Sequence, residues 1–366
     1  MRYLDRPGFD ALLHALSEQG FRLVGPSVRD GAIVLDRIEG VGDLPAGVGE
    51  TQGPGTYRLT HRDDDRLFGW AHGPDAGKRF LFPPRERLST IRRDGTLSVE
   101  AVPPDDAPYA FVGLRSCDLH AIAVQDRVFM DLDPAYRNRR ERAVFIGVNC
   151  EEPGGTCFCD SMHTGPRCTL GFDLALTELD DGFVVDVGST RGGELLAAVR
   201  TRESTPEEEV ASERVTDRAR ERMGRTLETS DMPDLLYRNR EHPRWNEVAE
   251  RCLACANCTN VCPTCFCHDV VDDVNLSGTE ATRTREWGSC FSQEYSWAAG
   301  ATVRDARSAR YRQWLTHKFA SWIDQYGTSG CVGCGRCITW CPVGIDVTEE
   351  IEAIRIHDGE VEVVTS

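Results

Sequence analysis

Two cysteine motifs constrain this chain more than any other feature of its sequence. Each motif places four cysteines within eleven residues and ends in Cys-Pro, and 68 residues lie between the two motifs. They read Cys252-x2-Cys255-x2-Cys258-x3-Cys262-Pro263 and Cys331-x2-Cys334-x2-Cys337-x3-Cys341-Pro342. Two such runs in one chain are typical of proteins that hold two cubane 4Fe-4S clusters.

The spacing also predicts which cysteines share a cluster. Three cysteines at intervals of three residues can place their thiolates on one tight loop, around three corners of a cubane. The fourth cysteine lies too far along the chain to complete that cubane, and in two-cluster ferredoxins it binds the other cluster. The predicted ligands are Cys252, Cys255, Cys258 and Cys341 for cluster A, and Cys331, Cys334, Cys337 and Cys262 for cluster B.

Zinc is the alternative metal for a cysteine-rich motif. A structural zinc site needs four tetrahedral ligands, usually from two well-separated Cys-x2-Cys pairs or from cysteines with paired histidines. Here each motif crowds four cysteines together and carries no paired histidine. The pattern therefore favours two iron–sulfur clusters over zinc.

Composition limits the compartment and the partners of the chain. Its 366 residues suggest about two domains, and its formal charge of −17 makes nucleic acid and anionic membrane surfaces poor partners. The sequence has no apolar run of 18 residues and does not begin like a secretory signal, so we expect no membrane association. Sixteen cysteines indicate metal binding in the reducing cytoplasm rather than disulfides.

The sequence predicts two domains joined by a linker. Residues 1–200 alternate helical and strand-like runs, which predicts an α/β (or α+β) domain. Two buried runs, 109–114 and 143–148, flank a helical segment and predict parallel strands, and a hairpin is expected over 173–187. Residues 201–240 form a charged helical linker, with a helix start at Thr205-Pro206. Residues 241–366 predict a mainly helical ferredoxin-type domain, because a long helical spacer, 306–326, separates the motifs.

Four cysteines of the first domain are candidates for a third cluster. Cys117 and Cys150 each follow one of the two buried runs, so parallel strands would bring them to the same sheet edge. Cys157 and Cys159 are two residues apart, and in an extended segment they point the same way. The alternative is that Cys117 and Cys150 are small buried apolar residues. Cys168, in a glycine- and proline-rich turn, is expected to be incidental.

Three further cysteines, Cys265, Cys267 and Cys290, remain open at this point. They could bind metal or simply line the cluster cavity, and the sequence does not decide between these roles. The chain has no glycine-rich nucleotide fingerprint and no GxSxG motif, so it presents no flavin, nicotinamide or nucleotide site. We therefore expect a chain that is not catalytic by itself.

Several segments resemble a known family, the iron–sulfur beta subunit of cytosolic NiFe sulfhydrogenases. The iron–sulfur subunit of anaerobic sulfite reductases, which shares this layout, is also similar. The departure is His163, where this family is expected to have glycine. The matching segments are GLRSCDLHAI (113–122), GVNCEEPGGTCFCDSMHTGP (147–166), GFDLALTEL (171–179), CLACANCTNVCPTCFCHDV (252–270), WGSC (287–290) and CVGCGRCITWCPVGID (331–346).

The resemblance implies an electron-transfer subunit of a larger oxidoreductase. Such a subunit passes single electrons between a flavoprotein diaphorase subunit, which handles NAD(P), and the small and large subunits of a NiFe hydrogenase. It also implies that Cys117, Cys150, Cys157 and Cys159 have a role. The alternative of the same chemistry is the electron-transfer subunit of anaerobic sulfite reductase. An alternative of another class is a self-contained metalloenzyme with its catalytic site in the first domain.

Overall fold

A mixed sheet of eight strands forms the centre of the first half of the chain. The computed structural model of the protein describes residues 1–103 and 107–359, so the last residues of the expected second domain, 360–366, lie outside it. The strands are β1 (Arg2–Asp5), β2 (Arg22–Arg29), β3 (Ala32–Arg37), β4 (Val48–Gly53), β5 (Thr56–His61), β6 (Arg85–Asp94), β7 (Thr96–Ala101), β8 (Tyr109–Leu114), β9 (Val144–Val148), β10 (Leu174–Glu178), β11 (Gly182–Val187), β12 (Arg202–Glu203), β13 (His268–Val274), β14 (Glu280–Trp287), β15 (Trp297–Ala298) and β16 (Ala301–Thr302).

Helices cover the large sheet and form most of the regular secondary structure of the second half. A π-helical segment, His317–Ser321, joins the tenth helix to the eleventh. The helices are α1 (Arg6–Glu18), α2 (Lys78–Leu81), α3 (Ser116–Phe129), α4 (Pro134–Arg142), α5 (Thr190–Ala197), α6 (Pro206–Glu221), α7 (Met232–Arg238), α8 (Arg244–Arg251), α9 (Asn257–Asn260), α10 (Arg307–Thr316), α11 (Trp322–Tyr326), α12 (Arg336–Thr339) and α13 (Val347–Ile356).

The large sheet has the strand order β12-β1-β11-β10-β9-β8-β2-β3. Its four inner strands, from β10 to β2, run parallel, and the remaining pairs are antiparallel. Strands β8 and β9 pair in parallel through Phe111 and Phe145, and α3 connects them, as their continuous apolar runs predict. The expected hairpin is present as β10 and β11. Fully buried strands of this kind need covering on both faces, and two apolar clusters supply that cover.

The second half combines helices with one long hairpin. A third apolar cluster lies among α7, α8, α10, α12 and α13, and it includes five cysteines of the two motifs: Cys252, Cys258, Cys331, Cys337 and Cys341. This agrees with the expected mainly helical domain that carries the clusters. The hairpin β13–β14 extends a second sheet, of order β13-β14-β6-β7, in which β14 pairs with β6 of the first half. Because that sheet takes strands from both halves, the division of the chain near residues 200 and 240 stays a prediction.

The expected charged linker contains an ordinary capped helix. Thr205 caps α6 through a reciprocal pair of hydrogen bonds with Glu208, and Pro206 occupies the first helical position. The buried face of α6, which includes Val215 and Ala219, packs against β10 and β11. Over the residues that the structure describes, no helix is long and apolar enough to cross a membrane.

Candidate metal centres

The first candidate centre is a cavity beside the first cysteine motif. Its volume is about 30 Å³, and apolar side chains, among them Phe291 and Trp314, form most of its wall. Helix α8 ends at Arg251, and the loop that follows turns through Ala254 and Ala256, which have φ values of 52° and 64°. That tight course wraps the motif around the cavity. The cysteines that line it are Cys252, Cys255, Cys258, Cys337 and Cys341.

The second candidate centre is a neighbouring cavity of about 20 Å³. Cys337, in α12, lines both cavities together with Trp314 and Val347, so the two spaces are adjacent. The cysteines lining the second cavity are Cys262, Cys331, Cys334 and Cys337, and Lys318 lines it with them. The structure thus brings together three cysteines of one motif and the fourth cysteine of the other around each space, with Cys337 as an additional member of the first set.

Two glycines let the second motif approach the first half of the chain. Gly333 and Gly335 have φ values of 63° and 74°, in the left-handed region that favours glycine. A Cβ on Gly335 would lie 2.3 Å from the Thr156 carbonyl oxygen, and one on Gly333 would lie 2.6 Å from that of Phe158. The Phe158 amide also donates to the Gly333 carbonyl over 2.8 Å. The Cys157-Phe158-Cys159 segment is therefore packed directly against the second motif.

The donor chemistry of the two cavities suits cubane clusters. Burial raises the pKa of Cys331 to about 12 and that of Cys258 well above the usual range, so without a positive charge these thiols stay protonated. Metal ligation lowers thiol pKa values and provides that charge. Among the described residues, no group of three cysteine, histidine or acidic side chains is arranged to hold a single metal ion. A cubane binds each thiolate through a different iron atom and fills a wider space.

Two buried lysines lie beside the second motif and the segment after the first. Lys78 and Lys318 are only 5% and 4% exposed. The Lys318 ammonium donates to Thr264 Oγ1 over 2.6 Å, and Thr264 Oγ1 is 3.2 Å from Cys262 Sγ. In the described part of the chain, neither ammonium group forms an ion pair with a carboxylate. Buried charges normally have a partner, so these lysines favour negative charge on the neighbouring sulfurs.

The four candidate cysteines of the first domain are all buried. Cys117 lies in the first turn of α3 and Cys150 follows β9, so both are at the carboxyl ends of neighbouring parallel strands, as expected. Burial raises the pKa of Cys117, Cys157 and Cys159, and a negative charge on Cys150 would raise the pKa of Cys157 and Cys159 further. Cys157 Sγ is 3.6 Å from the Cys334 carbonyl oxygen, which puts this group next to the second cavity.

The structure adds the surroundings of Cys168 and the backbone conformation of His163 to what the sequence indicates about these two residues. Cys168 is buried beside Cys150, and its amide donates to Asn149 Oδ1 over 2.7 Å, so the expected incidental residue belongs to the same packed region. His163 has a φ of 55°, which explains why glycine is expected there in related sequences. The two buried lysines were missed because lysine is usually a surface residue.

The comparisons with known proteins agree with this geometry. Residues 251–345 match the family described as 4Fe-4S dicluster domain, a segment that includes both motifs. The chain is 31% identical over 321 residues to sulfhydrogenase 2 subunit beta of Pyrococcus furiosus, which covers 84% of this chain and 93% of the relative. No solved structure matches. With two cysteine-lined cavities and this similarity along most of its length, the chain belongs to the family of sulfhydrogenase beta subunits and is an iron–sulfur electron-transfer protein that binds 4Fe-4S clusters.

Proposed function

We propose that this chain relays single electrons between an NAD(P)-linked flavoprotein subunit and the small and large subunits of a NiFe hydrogenase. The relative in Pyrococcus furiosus is named as a subunit of a sulfhydrogenase, which supports a role within a multisubunit complex. Iron–sulfur clusters in neighbouring cavities would each accept and pass on one electron. The chain itself contributes the binding, spacing and electrostatic environment of these centres.

The observation that carries the proposal is the mixed origin of each set of cysteines. Cys341 of the second motif lines the cavity of the first motif, and Cys262 of the first motif lines the cavity of the second. This supports cluster A on Cys252, Cys255, Cys258 and Cys341, and cluster B on Cys331, Cys334, Cys337 and Cys262. Cys337 borders both spaces, so the two clusters would be close neighbours and electrons would pass directly between them.

We propose a third cluster on Cys117, Cys150, Cys157 and Cys159. Their burial without a disulfide, beside the buried cations Arg115 and Arg336, supports a site that carries negative charge when it binds metal. The segment that bears Cys157 contacts the second motif, so this cluster would extend the relay from cluster B into the first half of the chain.

Paramagnetic resonance of full-length variants tests the assignment of clusters A and B. Cys341→Ser should alter the signal of cluster A, whereas Cys334→Ser should alter that of cluster B. Loss of the same signal in both variants would contradict the crossed arrangement. In each case the reduced wild-type complex provides the reference spectrum, and Cys168→Ser is the control for removing a cysteine outside the proposed ligand sets.

Purification of the chain with its bound subunits tests the partners. A flavoprotein and a NiFe catalytic pair that co-purify in stoichiometric amounts, with electron transfer from NAD(P)H to hydrogen production, would agree with the proposal. Co-purification with a sulfite-reducing subunit instead would assign the chain to anaerobic sulfite reductase. Steady turnover of hydrogen, NAD(P) or sulfite by the purified chain without other subunits would indicate a self-contained enzyme.

A further inference from the structure

The hairpin β13–β14 brings together cysteines that are far apart in the sequence. Cys267 immediately precedes β13, and Cys290 follows the end of β14 by three residues. The Gly288 amide donates to the Cys267 carbonyl over 2.9 Å, directly beside the first ladder pair of the hairpin. A negative charge on the Cys267 thiolate would accordingly raise the pKa of the Cys290 thiol. The base of the hairpin therefore presents both thiols at one place.

Cys265 lies beside the same buried ammonium group as the other two cysteines, because Lys318 interacts electrostatically with Cys265, Cys267 and Cys290. Between Cys265 and Cys267, the ring of Phe266 packs edge-on against Trp322, with the ring centres 5.4 Å apart. The Cys265 thiol interacts with that of Cys262, next to the second cavity.

Lys78 and Lys318 supply the second, independent observation at this place. The Lys78 ammonium lies 3.8 Å above the ring of Trp287, at the end of β14, and 3.4 Å from the Cys265 carbonyl oxygen. It is thus buried between the two segments that carry the three cysteines. Lys318 interacts electrostatically with Cys265, Cys267 and Cys290 as well as with Cys262. Cluster B alone would leave two buried ammonium groups beside one cluster, and Lys78 interacts with Cys265 and Cys267 as well as with Cys262.

We propose that Cys265, Cys267 and Cys290 bind a further iron–sulfur cluster, with Lys78 and Lys318 as its counter-charges. Three thiols lose their protons to solvent as three sulfur–iron bonds form, and the resulting negative charge has two buried ammonium groups beside it. One iron is left for a ligand that is not a cysteine, and the hydroxyl of Tyr295, which interacts with the Cys267 thiol, provides an oxygen beside the site. The cluster extends the proposed relay from cluster B to the base of the hairpin.

Iron content and spectra of the full-length protein test this cluster. Cys290→Ala and Cys265→Ala should each lower the iron content by up to about four atoms per chain, the content of one cubane, while the paramagnetic signals of clusters A and B persist. Val274→Ala, an exposed substitution in β13 of the same hairpin, is the control and should leave the iron content and spectra unchanged. Unchanged iron content and spectra in both variants would overturn the proposal.

Alkylation of the unsubstituted protein gives a second measurement that does not depend on how the variants fold. Cys265 and Cys267 are partly exposed, so the reagent can reach them; because a hydrogen bond with Cys262 raises the pKa of Cys265 and burial raises that of Cys267, iodoacetamide is used in alkaline solution, where free thiols ionise. The proposal expects both to resist alkylation, as read by peptide mass spectrometry, until a chelator removes the iron. Reaction before iron removal would overturn the proposal. This proposal rests on the proposed relay, so the wild-type protein is examined first. Absence of the paramagnetic signals of clusters A and B from the wild-type protein would count against the relay itself.

Discussion

Removing the charge of Lys318 should lower the reduction potential of cluster B. Reduction adds one negative charge to a cluster, and a buried ammonium group stabilises that added charge. Lys318 lines the second cavity with Cys262, Cys331, Cys334 and Cys337. It is 4% exposed, so solvent screens its charge weakly. The substitution Lys318→Met keeps the length and much of the shape of the side chain while removing the charge.

The structure sets the size of the expected effect. Thr264 Oγ1 is 2.6 Å from Lys318 Nζ and 3.2 Å from Cys262 Sγ, so the ammonium nitrogen lies no farther than their combined length from that sulfur. The centre of a cluster bound to that sulfur would lie roughly 8 Å away, and unit charges at that distance interact by about 2 kcal/mol at an effective dielectric constant near 20. For transfer of one electron, that energy corresponds to a fall of roughly 90 mV.

A redox titration followed by paramagnetic resonance measures this shift in the full-length protein. The potential of cluster B should fall in Lys318→Met, and that of cluster A should change less because its cavity does not include Lys318. Lys318→Arg, which retains the charge, is the matched control and should change the potential little. An unchanged or higher potential in Lys318→Met, or an equal fall in both variants, would refute the electrostatic argument.

Three other outcomes follow from the packing and from the absence of nucleotide motifs. Gly335→Ala should lower the free energy of unfolding by at least about 1–3 kcal/mol, because φ is +74° and the added Cβ would contact Thr156. Thermal unfolding measures the loss. Gly278→Ala, at a position with a positive φ and open space around it, is the control for the backbone conformation alone. Arg336→Gln should lower the free energy of unfolding by about 3–5 kcal/mol, because it leaves the buried Asp118 carboxylate without the Arg336 guanidinium 2.8 Å away. A smaller loss in the double variant Arg336→Met, Asp118→Leu would identify the unpaired charge as the cause. The purified chain alone should not turn over hydrogen, NAD(P) or sulfite in steady-state assays, since its sequence has no nucleotide-binding fingerprint.

Local patterns in the sequence predicted the elements whose stability is mostly local. The buried runs of β8 and β9 with α3 between them, the β10–β11 hairpin and the capped start of α6 all follow from short-range signals. The hairpin β13–β14 did not, because β13 is exposed along its length and shows no alternation of buried and exposed residues. Its sheet also depends on pairing with β6, nearly 190 residues earlier in the chain, as in Glu280 opposite Arg92.

The candidate centres were predictable to the extent that spacing determines them. The cysteines that line each cavity include those that the repeated motif assigns to one cluster, with Cys337 lining both cavities, and the assignment of ligands stays a prediction. The neighbours of those cysteines were not predictable. Nothing in the local sequence indicates that Lys78 and Lys318 are buried, since burial of a lysine depends on the charge that distant segments bring to it.

The mixed origin of the cavity walls has a consequence for biosynthesis. Each cavity takes cysteines from both motifs, so the second set of cysteines is incomplete until Cys337 has been made and the first until Cys341 has been made. At usual translation rates that is on the order of 10 s after the first motif has been made. Strand β6 can pair with β14 only after the same delay has largely passed. Neither cluster can therefore have all its proposed ligands before the second motif is made, and a chain that lacks the second motif lacks the cysteine sets of both cavities rather than one of them.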